Sequence, residues 1–537
     1  MSQTWDDEVD VVVIGFGAAG ACAAIEAADG GASVLVVDRF RGGGATAISG
    51  GVVYAGGGTS HQIEAGYDDR VESMLDYLRL ETGDVVAEET LRRFCAQSAE
   101  NLRWLESHGV PFEASMAPRK TSYPTNDHYL YYSGNELAPP YRDRAAPAPR
   151  GHRTKGRGTS GKVLFAALRT AVTRRPVRVR YQTAATQLIT DDDGRVIGVE
   201  CREIARRTPV RRLLHQLMSS ANRKLNIYYR PAGKLMDRPL RTIETRCAVT
   251  RRFRARHGVV LAAGGFVFNR RMLAEHAPAY RSGSSLGTIG DDGAGIRLGV
   301  AVDGATARLD RVSAWRFFNP PIALVEGVLV NREGERICNE TLYGAKIGDH
   351  IAAQTAAKAY LIVDQRILAE GKRQLRTQTL WFQRLQMTYL FTVGHTKGGT
   401  IEELAERTGI EPARLRRTID EYNGDTRAGR PDGMSKDPEH VHPLDQAPYY
   451  AFDCSLRTQR GFPCPMITLG GLTVDERTGA VTREDGTAIP GLYAAGRNAV
   501  GICSESYVSG LAIADCVFSG RRVGMAIVAA RAGGDVV

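Results

Sequence analysis

Residues Asp10 to Asp38 read DVVVIGFGAAGACAAIEAADGGASVLVVD. An apolar run is followed by three glycines, an alanine-rich segment, a second apolar run and an acid, which is the pattern of a strand, a helix and a second strand. Gly15 permits the tight turn after the first strand, Gly17 lets the backbone approach a pyrophosphate, and Gly20 lets the helix lie close to the strand. The phosphates would meet the helix N-terminus, and Asp38 would accept a hydrogen bond from a ribose hydroxyl. The stretch therefore predicts a βαβ unit that binds an adenine dinucleotide.

The composition is that of a globular protein without a membrane-spanning segment. The chain has 537 residues, of which 43% are hydrophobic and 24% charged, and no apolar run approaches the ~20 residues that a spanning helix needs. This length accommodates more than one domain and a large core. The N-terminus, MSQTWDDEVD, is acidic and passes directly into the first strand. We therefore expect no signal peptide and a cytoplasmic location.

The cysteines show no metal-binding or redox pattern. None of the nine forms a CxxC pair, which argues against a zinc site, a redox dithiol and a disulfide framework. We expect no metal site, and we expect most of the thiols to act as small core residues. The cysteines are Cys22, Cys95, Cys201, Cys247, Cys338, Cys454, Cys464, Cys503 and Cys516.

The net charge of +10 is concentrated in one segment. Between Arg202 and Arg256, 16 lysine and arginine residues face three acidic residues, a local charge of +13, so the rest of the chain carries −3. Apolar residues recur there at helical spacing while basic residues fall mostly on other faces, which predicts a basic amphipathic helix. The apolar stripe consists of Val210, Leu213, Leu214, Leu217, Met218, Ala221 and Leu225, and the basic residues are Arg211, Arg212, Arg223 and Lys224.

Two explanations of this basic segment stay open. We favour a solvated helix that packs on its domain through the apolar stripe. The alternative is peripheral contact with the inner face of a membrane. Nucleic-acid binding is disfavoured, because no recognised binding motif accompanies the charge.

Four further segments fit one architecture. Thr183 to Cys201 predicts two strands joined by an Asp-Gly turn, and His257 to Phe266 predicts a buried strand that ends in a glycine turn. Gly42 to Gly51 is too rich in glycine for a helix and suits a loop whose backbone crosses a flat ligand closely. Ile489 to Gly496 predicts a strand and turn, followed by a helix from about Ser509.

These segments, in this order, resemble the flavoprotein superfamily of fumarate reductases and 3-ketosteroid dehydrogenases. The motifs are GFGAAG with Asp38, SGG at 49–51, LAAGGF with Asn269, GDDGAG at 290–295, RICNE at 336–340, TIEELAERTGI from Thr400 and GLYAAGR at 491–497. The resemblance implies an α/β fold in which a Rossmann-like FAD-binding domain is split in sequence by an inserted α+β catalytic domain. The implied divisions are 1–266 for the first part of the FAD-binding domain, with the basic insertion at 202–256, then 267–442 for the catalytic domain and 443–537 for the second part.

The resemblance also implies FAD as the cofactor. FAD would lie across the first βαβ unit, with its isoalloxazine ring between the Ser49 loop and the start of the C-terminal helix. The residues expected to contact it are Gly15, Gly17, Ala18, Ala19, Gly20, Asp38, Arg39, Ala45, Thr46, Ser49, Gly50, Gly51, Ala185, Ala263, Gly264, Asn269, Asp292, Gly496, Arg497, Leu511 and Ala512.

Substitutions at three positions distinguish the reactions of the superfamily. Members that reduce fumarate carry a histidine in an HTMGG-like segment, an arginine soon after an NE pair and an arginine before the C-terminal GG, because they bind two carboxylates and donate a proton. This chain has Ile467, Tyr343 and Tyr507 at those places. A dicarboxylate would find no counter-charge there.

The segment Tyr507-Val508-Ser509 resembles the Tyr-x-Ser of 3-ketosteroid 4-(5α)-dehydrogenases, which desaturate the C4–C5 bond. The resemblance implies that Tyr507 donates to the C3 carbonyl, Ser509 removes the C4 proton and Tyr343 passes that proton outward, while the flavin N5 takes a hydride from C5. A neutral phenol stabilises an enolate oxygen without burying a charge. A serine needs a partner to act as a base.

Other interpretations stay open at this stage. The chain could be a 3-ketosteroid 1-dehydrogenase, an enone reductase acting on another apolar ketone, or a peripheral membrane protein with a vestigial FAD site. Tyr343, expected just after a short strand at 336–340, could be an interface tyrosine, and Ser509 could simply cap a helix. Aromatic residues at 315–318 could line an apolar pocket or belong to the core; they are Trp315, Phe317 and Phe318. An enzyme of this kind also needs an external electron acceptor.

Overall fold

The helices and strands below come from a computed structural model, which describes residues 4–205, 207–228, 230–457 and 461–533. The strands are β1 (Asp7–Ile14), β2 (Val34–Asp38), β3 (Val52–Tyr54), β4 (Leu130–Tyr131), β5 (Gly151–Arg153), β6 (Val177–Tyr181), β7 (Thr183–Thr190), β8 (Val196–Ile204), β9 (Ala248–Leu261), β10 (Ser284–Ser285), β11 (Thr306–Ala307), β12 (Val312–Ala314), β13 (Val328–Asn331), β14 (Ala359–Val363), β15 (Thr396–Gly398), β16 (Tyr449–Asp453), β17 (Pro465–Thr468), β18 (Gly471–Leu472), β19 (Ala480–Thr482) and β20 (Ala488–Ala494). The α-helices are α1 (Ala18–Asp29), α2 (Ser60–Glu64), α3 (Val71–Thr82), α4 (Glu88–Ala96), α5 (Ser98–Ser107), α6 (Tyr141–Arg144), α7 (Gly161–Thr173), α8 (Pro209–Tyr228), α9 (Arg230–Arg246), α10 (Arg270–His276), α11 (Ala294–Val300), α12 (Gly344–Ala352), α13 (Gln365–Gln378), α14 (Trp381–Thr392), α15 (Ile401–Thr408), α16 (Pro412–Arg427) and α17 (Leu511–Arg531).

A parallel sheet forms the centre of the nucleotide-binding part. Its strands follow the order β19-β20-β9-β1-β2-β6, and β20, β9, β1, β2 and β6 run parallel. The apolar runs of β1 and β2 are buried on both faces of the sheet, as parallel sheets require. Helices α1 and α17 cover one face, and the antiparallel β7–β8 hairpin joins the sheet at β9. The expected α/β class is confirmed.

Two of the three glycine roles predicted for the βαβ turn, those of Gly15 and Gly20, are visible in the backbone. Gly15 has a φ of +103°, and a Cβ atom there would lie 2.4 Å from the Ala262 carbonyl oxygen, so only glycine fits the turn between β1 and α1. A Cβ atom at Gly20 would lie 2.0 Å from the Gly15 carbonyl oxygen. Helix α1 therefore packs against its own strand at a distance that any side chain at residue 20 would prevent.

Helices α1 and α17 meet through equally small residues. A Cβ atom at Gly520 would lie 2.5 Å from the Ala19 carbonyl oxygen, and one at Gly524 would lie 2.8 Å from the Ala23 carbonyl oxygen. The two backbones are thus in direct contact along the helix pair. Helix α17, the last helix that the structure describes, therefore packs directly on the first βαβ unit.

Buried apolar side chains form three large clusters. The first combines β1 and β2 with α1, α7 and α17, and the second covers the opposite face of the sheet under β7, β8 and β9. The third contains only residues between Phe266 and Met466, around the antiparallel sheet β13-β14-β16-β15. This separate core carries the residues that face the start of α17.

The segment at 202–256 differs from the single basic helix expected there. Residues 202–204 end β8 and residues 248–256 begin β9, and the two strands pair antiparallel with Ile204 opposite Ala248. Between them lie two helices, α8 and α9, rather than one. In β9 exposed or half-buried arginines alternate with buried Phe253 and Ala255, a period of two that is typical of a strand. The sum of charges over residues 202–256 does not reveal this alternation, so the strand was not predicted there.

Two further boundaries differ from the sequence-based expectations. Residues 336–340 form no strand, and only Arg336 makes an isolated bridge, to Val330. The physical reason is that Glu340 is buried between Arg336 and Lys436, with nitrogen–oxygen distances of 2.7 and 2.8 Å, which closes a turn. The C-terminal helix begins at Leu511 rather than at about Ser509.

Candidate active site

The N-terminus of α1 forms one end of the candidate cofactor site. A Cβ atom at Gly17 would meet only the Thr46 hydroxyl oxygen, at 3.4 Å, and that oxygen accepts a hydrogen bond from Ala18 N at 3.1 Å. The third predicted glycine role, close approach of a ligand to Gly17, fits this geometry. Helix N-termini of this kind bind phosphate through their free N–H groups and dipole.

Asp38 organises the turn that follows β2. Its carboxylate accepts hydrogen bonds from the backbone N–H groups of Phe16 at 3.0 Å, Phe40 at 2.8 Å and Gly42 at 3.1 Å. A carboxylate has about four acceptor sites, so one is left for a further donor such as a ribose hydroxyl. The sequence analysis anticipated the ligand role but not this structural one.

Arg39 joins three parts of the chain at the same end of the site. Its guanidinium pairs with both oxygens of Glu244 from α9, at 3.0 and 2.9 Å, and with Asp292 at 2.9 Å. Burial raises the pKa of Glu244, but hydrogen bonds from His215 and Arg39 outweigh it and lower that pKa to about 2. Arg39 and Asp292, both expected to contact the cofactor, are thus paired with each other.

The turn after β9 is held by two asparagine side chains. Asn498 accepts from Ala263 N at 2.5 Å and donates to the Gly264 carbonyl oxygen at 2.9 Å. Asn269 caps α10 and donates to the Asp292 carbonyl oxygen at 2.9 Å. The amide of Asn269 therefore makes hydrogen bonds within the protein, and Asn498 is a residue that the sequence analysis missed. Ala185 on β7 and Ala263 are both partly exposed near this turn.

Arg497 is a buried cation with an unpartnered donor beside the turn after β9. Its Nη2 donates to Asp291 at 2.6 Å, and its side chain is 9% exposed. Its Nη1 has no hydrogen-bond partner among the described residues. A buried donor without a partner costs free energy, so this position fits a cofactor oxygen, which would accept that bond.

Side-chain hydrogen bonds fix the backbone of the glycine-rich loop at 42–51. Ser49 Oγ donates to the Thr46 carbonyl oxygen at 2.8 Å and accepts from Gly51 N at 3.1 Å. The Tyr123 hydroxyl donates to the Gly50 carbonyl oxygen at 2.7 Å. Ala45 precedes the single 3₁₀ turn, Thr46–Ile48. The predicted loop residues therefore form one rigid backbone surface.

Ser509 is brought together with two tyrosines. Its hydroxyl lies 2.9 Å from the Tyr131 hydroxyl, and its backbone N–H donates to the Ser133 carbonyl oxygen at 3.2 Å. Burial raises the pKa of the Tyr343 phenol, and the Ser509 side chain offsets part of that rise. The interpretation of Ser509 as a helix cap is wrong, because Gly510, at φ +95°, occupies the N-cap of α17 and no side chain caps the helix.

The three catalytic candidates lie in one cluster. The rings of Tyr343 and Tyr507 are 6.4 Å apart, and Tyr343 and Ser509 are buried. The sequence analysis missed Tyr131, which is fully buried beside Ser509. The run of tyrosines at 129–132 is its only signal in the sequence. The structure places the hydroxyl groups of two short segments, 131–133 and 507–509, against each other.

Burial keeps the phenols of this cluster protonated. It raises the pKa of Tyr507, Tyr343 and Tyr131 well above the ordinary value of 10, although the Ser509 hydroxyl partly offsets the rise for Tyr343 and Tyr131. Neutral phenols donate hydrogen bonds. The cluster therefore offers neutral donors to a substrate oxygen across the ordinary pH range.

Glu81 connects the two turns that carry the tyrosines. Its buried carboxylate accepts from Tyr77 Oη at 2.9 Å, from the Asn135 amide and from Ser506 Oγ at 3.3 Å. Asn135 Oδ1 in turn accepts from Tyr343 N at 2.6 Å. A single network thus fixes the backbone at Tyr343 and at the residue before Tyr507. Nothing in the sequence pattern signalled it.

Two aromatic side chains that follow β12 form a wall beside the cluster. Trp315 stacks on Tyr507 with 5.1 Å between centroids, and Phe317 lies 5.4 Å from Tyr343. Phe318 is buried in the core instead. Ile467 lies in β17 opposite Ser313, two residues before Trp315. Phe318 therefore belongs to the core, and a pocket lined by Trp315 and Phe317 stays a prediction.

Comparisons with known proteins agree with this geometry. The profile of the family described as FAD binding domain matches residues 10–507. The chain is 37% identical to a 3-oxo-5-alpha-steroid 4-dehydrogenase of Comamonas testosteroni, over 92% of this chain and 93% of that protein, and 25% identical to a probable fumarate reductase, Ifc3, of Shewanella frigidimarina, over 96% and 74%. A crystal structure of the 3-ketosteroid-delta4-(5alpha)-dehydrogenase of Rhodococcus jostii RHA1 in complex with 4-androstene-3,17-dione matches with a TM-score of 0.81 and 33% identity, covering 98% of both chains.

Proposed function

The chain belongs to the family of FAD-binding proteins matched over residues 10–507, and from that premise we propose that it desaturates a 3-ketosteroid between C4 and C5. It binds FAD as a flavoprotein oxidoreductase. The observation that carries the proposal is the cluster of Ser509, Tyr131, Tyr343 and Tyr507, in which Tyr343 and Tyr507 offer neutral phenols where the resemblance implies cations in fumarate-reducing members. The Comamonas relative is named for the same reaction.

We propose that FAD lies across the candidate cofactor site, from the N-terminus of α1 to the start of α17. The N-terminus of α1 at Gly17 would bind its pyrophosphate, and the free acceptor of Asp38 would take a ribose hydroxyl. The unpartnered Nη1 of Arg497 would donate to a cofactor oxygen. The remaining proposed contacts come from the loop at 45–51, from the turn after β9, and from Leu511 and Ala512 at the start of α17.

Tyr507 is the proposed donor to the C3 carbonyl. A hydrogen on C4 becomes acidic only when the enolate oxygen is stabilised, and a fixed donor in a site that excludes water does this best. Stacking of Tyr507 on Trp315 fixes the phenol ring. Because burial raises the pKa of Tyr507, the phenol supplies a hydrogen bond and keeps its own proton.

Ser509 is the proposed base that accepts the C4 proton. As its oxygen takes that proton, its own hydroxyl proton passes to a neighbouring phenol oxygen, that of Tyr131 at 2.9 Å or that of Tyr343, and because this phenol is already protonated it releases its own proton in the same step. Tyr343 then passes a proton outward. When bound, the oxidised flavin supplies the acceptor for the hydride from C5. An external electron acceptor completes the cycle.

The aromatic wall suits a flat apolar substrate. Trp315 and Phe317 face the cluster of hydroxyl groups, and Ile467 adds an apolar side chain in the neighbouring strand. A fused-ring ketone buries its faces against such residues and presents one oxygen to Tyr507. A dicarboxylate would lose its hydration there without gaining a counter-charge.

Anaerobic mixing with a saturated 3-keto-5α-steroid tests the proposal. We expect the flavin absorbance to bleach within the turnover time, and the product to carry a C4–C5 double bond. Ser509→Ala should bleach far more slowly while retaining FAD. A C1–C2 double bond would instead indicate a 1-dehydrogenase, and oxidation of reduced flavin by an enone without the forward reaction would indicate a reductase. Either outcome would overturn the proposal.

A further inference from the structure

Helices α8 and α9 form a helical hairpin, named here the basic hairpin, that is fixed to the adenosine end of the cofactor site. The His215 ring stacks on Phe40 at 5.8 Å with an interplanar angle of 7°, and its Nε2 lies 3.1 Å from Glu244. Glu244 in turn holds Arg39. Leu240 of α9 is fully buried. The basic hairpin is therefore anchored and holds a defined orientation on the body of the protein.

The amphipathic pattern of α8 is inverted in the structure. Its inner face is polar, with His215, Asn222 and Asn226 buried, and Asn222 donates to the Gly233 carbonyl oxygen and to Asp237, at 2.9 Å each. Its apolar stripe faces outward. The most exposed apolar side chains are Val210 (77%), Leu213 (53%), Leu214 (47%), Leu217 (58%) and, on α9, Leu235 (79%).

This finding corrects the favoured sequence interpretation, in which the stripe packs on the domain. Polar contacts attach the hairpin instead: Glu244 pairs with Arg39, and Gln182 Nε2 donates to the Arg212 carbonyl oxygen at 2.7 Å. A contiguous exposed stripe of large aliphatic side chains marks an interaction surface. Hydrophobic stabilisation of the fold does not explain these residues, since they lie outside every core cluster.

Acidic partners neutralise the arginines of β9 but not six described basic side chains of the basic hairpin. On β9, Arg251 pairs with Asp6, Arg252 with Glu200, and Arg254 and Arg256 with Glu8. On the basic hairpin, by contrast, no ion pair within the described residues involves six basic side chains. They are Arg211, Arg223, Lys234, Arg238, Arg241 and Arg246. The side chain of Lys224 lies outside what the structure describes. The uncompensated positive charge therefore belongs to the hairpin that carries the apolar stripe.

We propose that the basic hairpin binds an anionic lipid bilayer. The exposed leucines enter the boundary between headgroups and acyl chains, and the surrounding cations contact anionic headgroups, which is the pattern of interfacial helices. No helix among the described residues is long and apolar enough to cross a membrane. The contact therefore lies on the surface.

Charge complementarity selects a lipid surface over other occupants. A second copy of the chain would bring two uncompensated basic hairpins together, which like charges oppose. A nucleic acid would leave the apolar stripe in water. A bilayer alone satisfies both halves of the surface, and it concentrates apolar ketones beside the enzyme.

Vesicle sedimentation of the FAD-loaded enzyme tests the proposal. We expect binding to vesicles of phosphatidylcholine mixed with phosphatidylglycerol at about 0.1 M salt, much less at about 1 M salt, and little to phosphatidylcholine alone, because the Debye length falls from about 10 to about 3 Å. Reversal of four hairpin cations, Arg211, Arg223, Arg238 and Arg241→Glu, should lower the partition coefficient by about a hundred-fold or more.

A matched control separates the surface from total charge. Arg103, Arg174, Arg332 and Arg417→Glu changes the net charge equally at exposed positions outside the hairpin, and it should reduce binding far less. Leu213, Leu214 and Leu217→Ser should weaken binding without changing its salt dependence. The FAD content and the Tm of all three variants should match those of the wild type, which verifies that they fold.

Three results would overturn the proposal. Wild-type protein could remain in the supernatant at low salt, or the control variant could lose binding as fully as the hairpin variant. Light scattering could instead show a dimer that the leucine substitutions dissociate, which would assign the stripe to a second copy of the chain. Since none of these measurements uses steroid turnover as its readout, their failure is independent of the proposed reaction.

Discussion

At the residue scale, the proposed reaction depends on a phenol that stays protonated in a buried site. Tyr507→Phe removes the donor to the substrate oxygen and keeps the ring that stacks on Trp315. We expect a loss of about 2.7–4 kcal/mol of transition-state stabilisation, comparable to loss of one oxyanion donor, seen mainly in kcat. Steady-state kinetics with FAD content as the control measures it. Near-normal kcat would remove Tyr507 from the mechanism.

Tyr131 is proposed to position Ser509 and to take part in its proton transfer. Tyr131→Phe deletes the hydroxyl at 2.9 Å from Ser509 Oγ, and we expect kcat to fall about tenfold, as for one buried hydrogen bond of about 1.4 kcal/mol. Burial raises the pKa of Tyr131 and Tyr343. The neutral forms therefore persist as the pH rises, and the wild-type kcat should stay level to about pH 10.

The pH profile distinguishes this role from a merely structural one. If Tyr131 shares the Ser509 proton, the substitution should change the pH dependence of kcat as well as its size. Tyr129→Phe, a partner on the same tyrosine run, serves as the control. An unchanged profile with an unchanged kcat would show that Tyr131 has no part in proton transfer.

At the element scale, the carboxylate of Glu244 connects the basic hairpin to Arg39. Because the pKa of Glu244 is lowered to about 2, its charge stabilises the fold above its ordinary pKa of about 4.5, and this contribution is lost as the pH falls toward 2. We expect Glu244→Gln to destabilise the hairpin by about 2 kcal/mol, the range for hydrogen bonds to charged groups.

Hydrogen exchange measures this change directly. Amides of α9 should exchange about 30-fold faster in Glu244→Gln, while those of β1 should not change. Glu275→Gln, an exposed carboxylate 4.0 Å from His276, provides the matched control. Equal exchange in α9 of the two variants would show that His215 and Leu240 suffice to anchor the hairpin.

Elements with a strong local pattern could be predicted from the sequence. The βαβ unit, the β7–β8 hairpin with its turn at Gly194 and the strand β20 are all confirmed. The turn at 336–340 could not, because ion pairs to Lys436, distant in sequence, override its strand-like pattern. The buried face of α8 could not be predicted for the same reason, since partners distant in sequence decide which face of a helix is buried.

The candidate site was predictable only where a motif names its residues. Tyr507, Ser509 and Tyr343 were found through a resemblance, and the structure brings them together. Tyr131, Glu81 and Asn498 lie in no motif, and only their contacts reveal them. The assigned roles and the domain boundaries at 266 and 442 stay predictions.

At the scale of the whole molecule, three uncharged side chains from distant parts of the chain are proposed to select the chemical class of the substrate. Ile467, Tyr343 and Tyr507 stand where cations would bind a dicarboxylate, so we expect neither fumarate reduction nor succinate oxidation at meaningful rates. Reoxidation of the reduced flavin by fumarate, followed by absorbance, measures this, with a 3-ketosteroid couple as the positive control. Reoxidation at catalytic speed would contradict the prediction.

The contact between α1 and α17 has a consequence for the synthesis of the protein. Strand β20 fills the sheet position beside β9, and α17 packs its glycines on the backbone of α1, so the βαβ unit waits for a partner that the ribosome makes hundreds of residues later. Until then the alanine face of α1 has no cover. We therefore expect the nascent chain to acquire its cofactor only after α17 emerges, and to depend on chaperones before that moment.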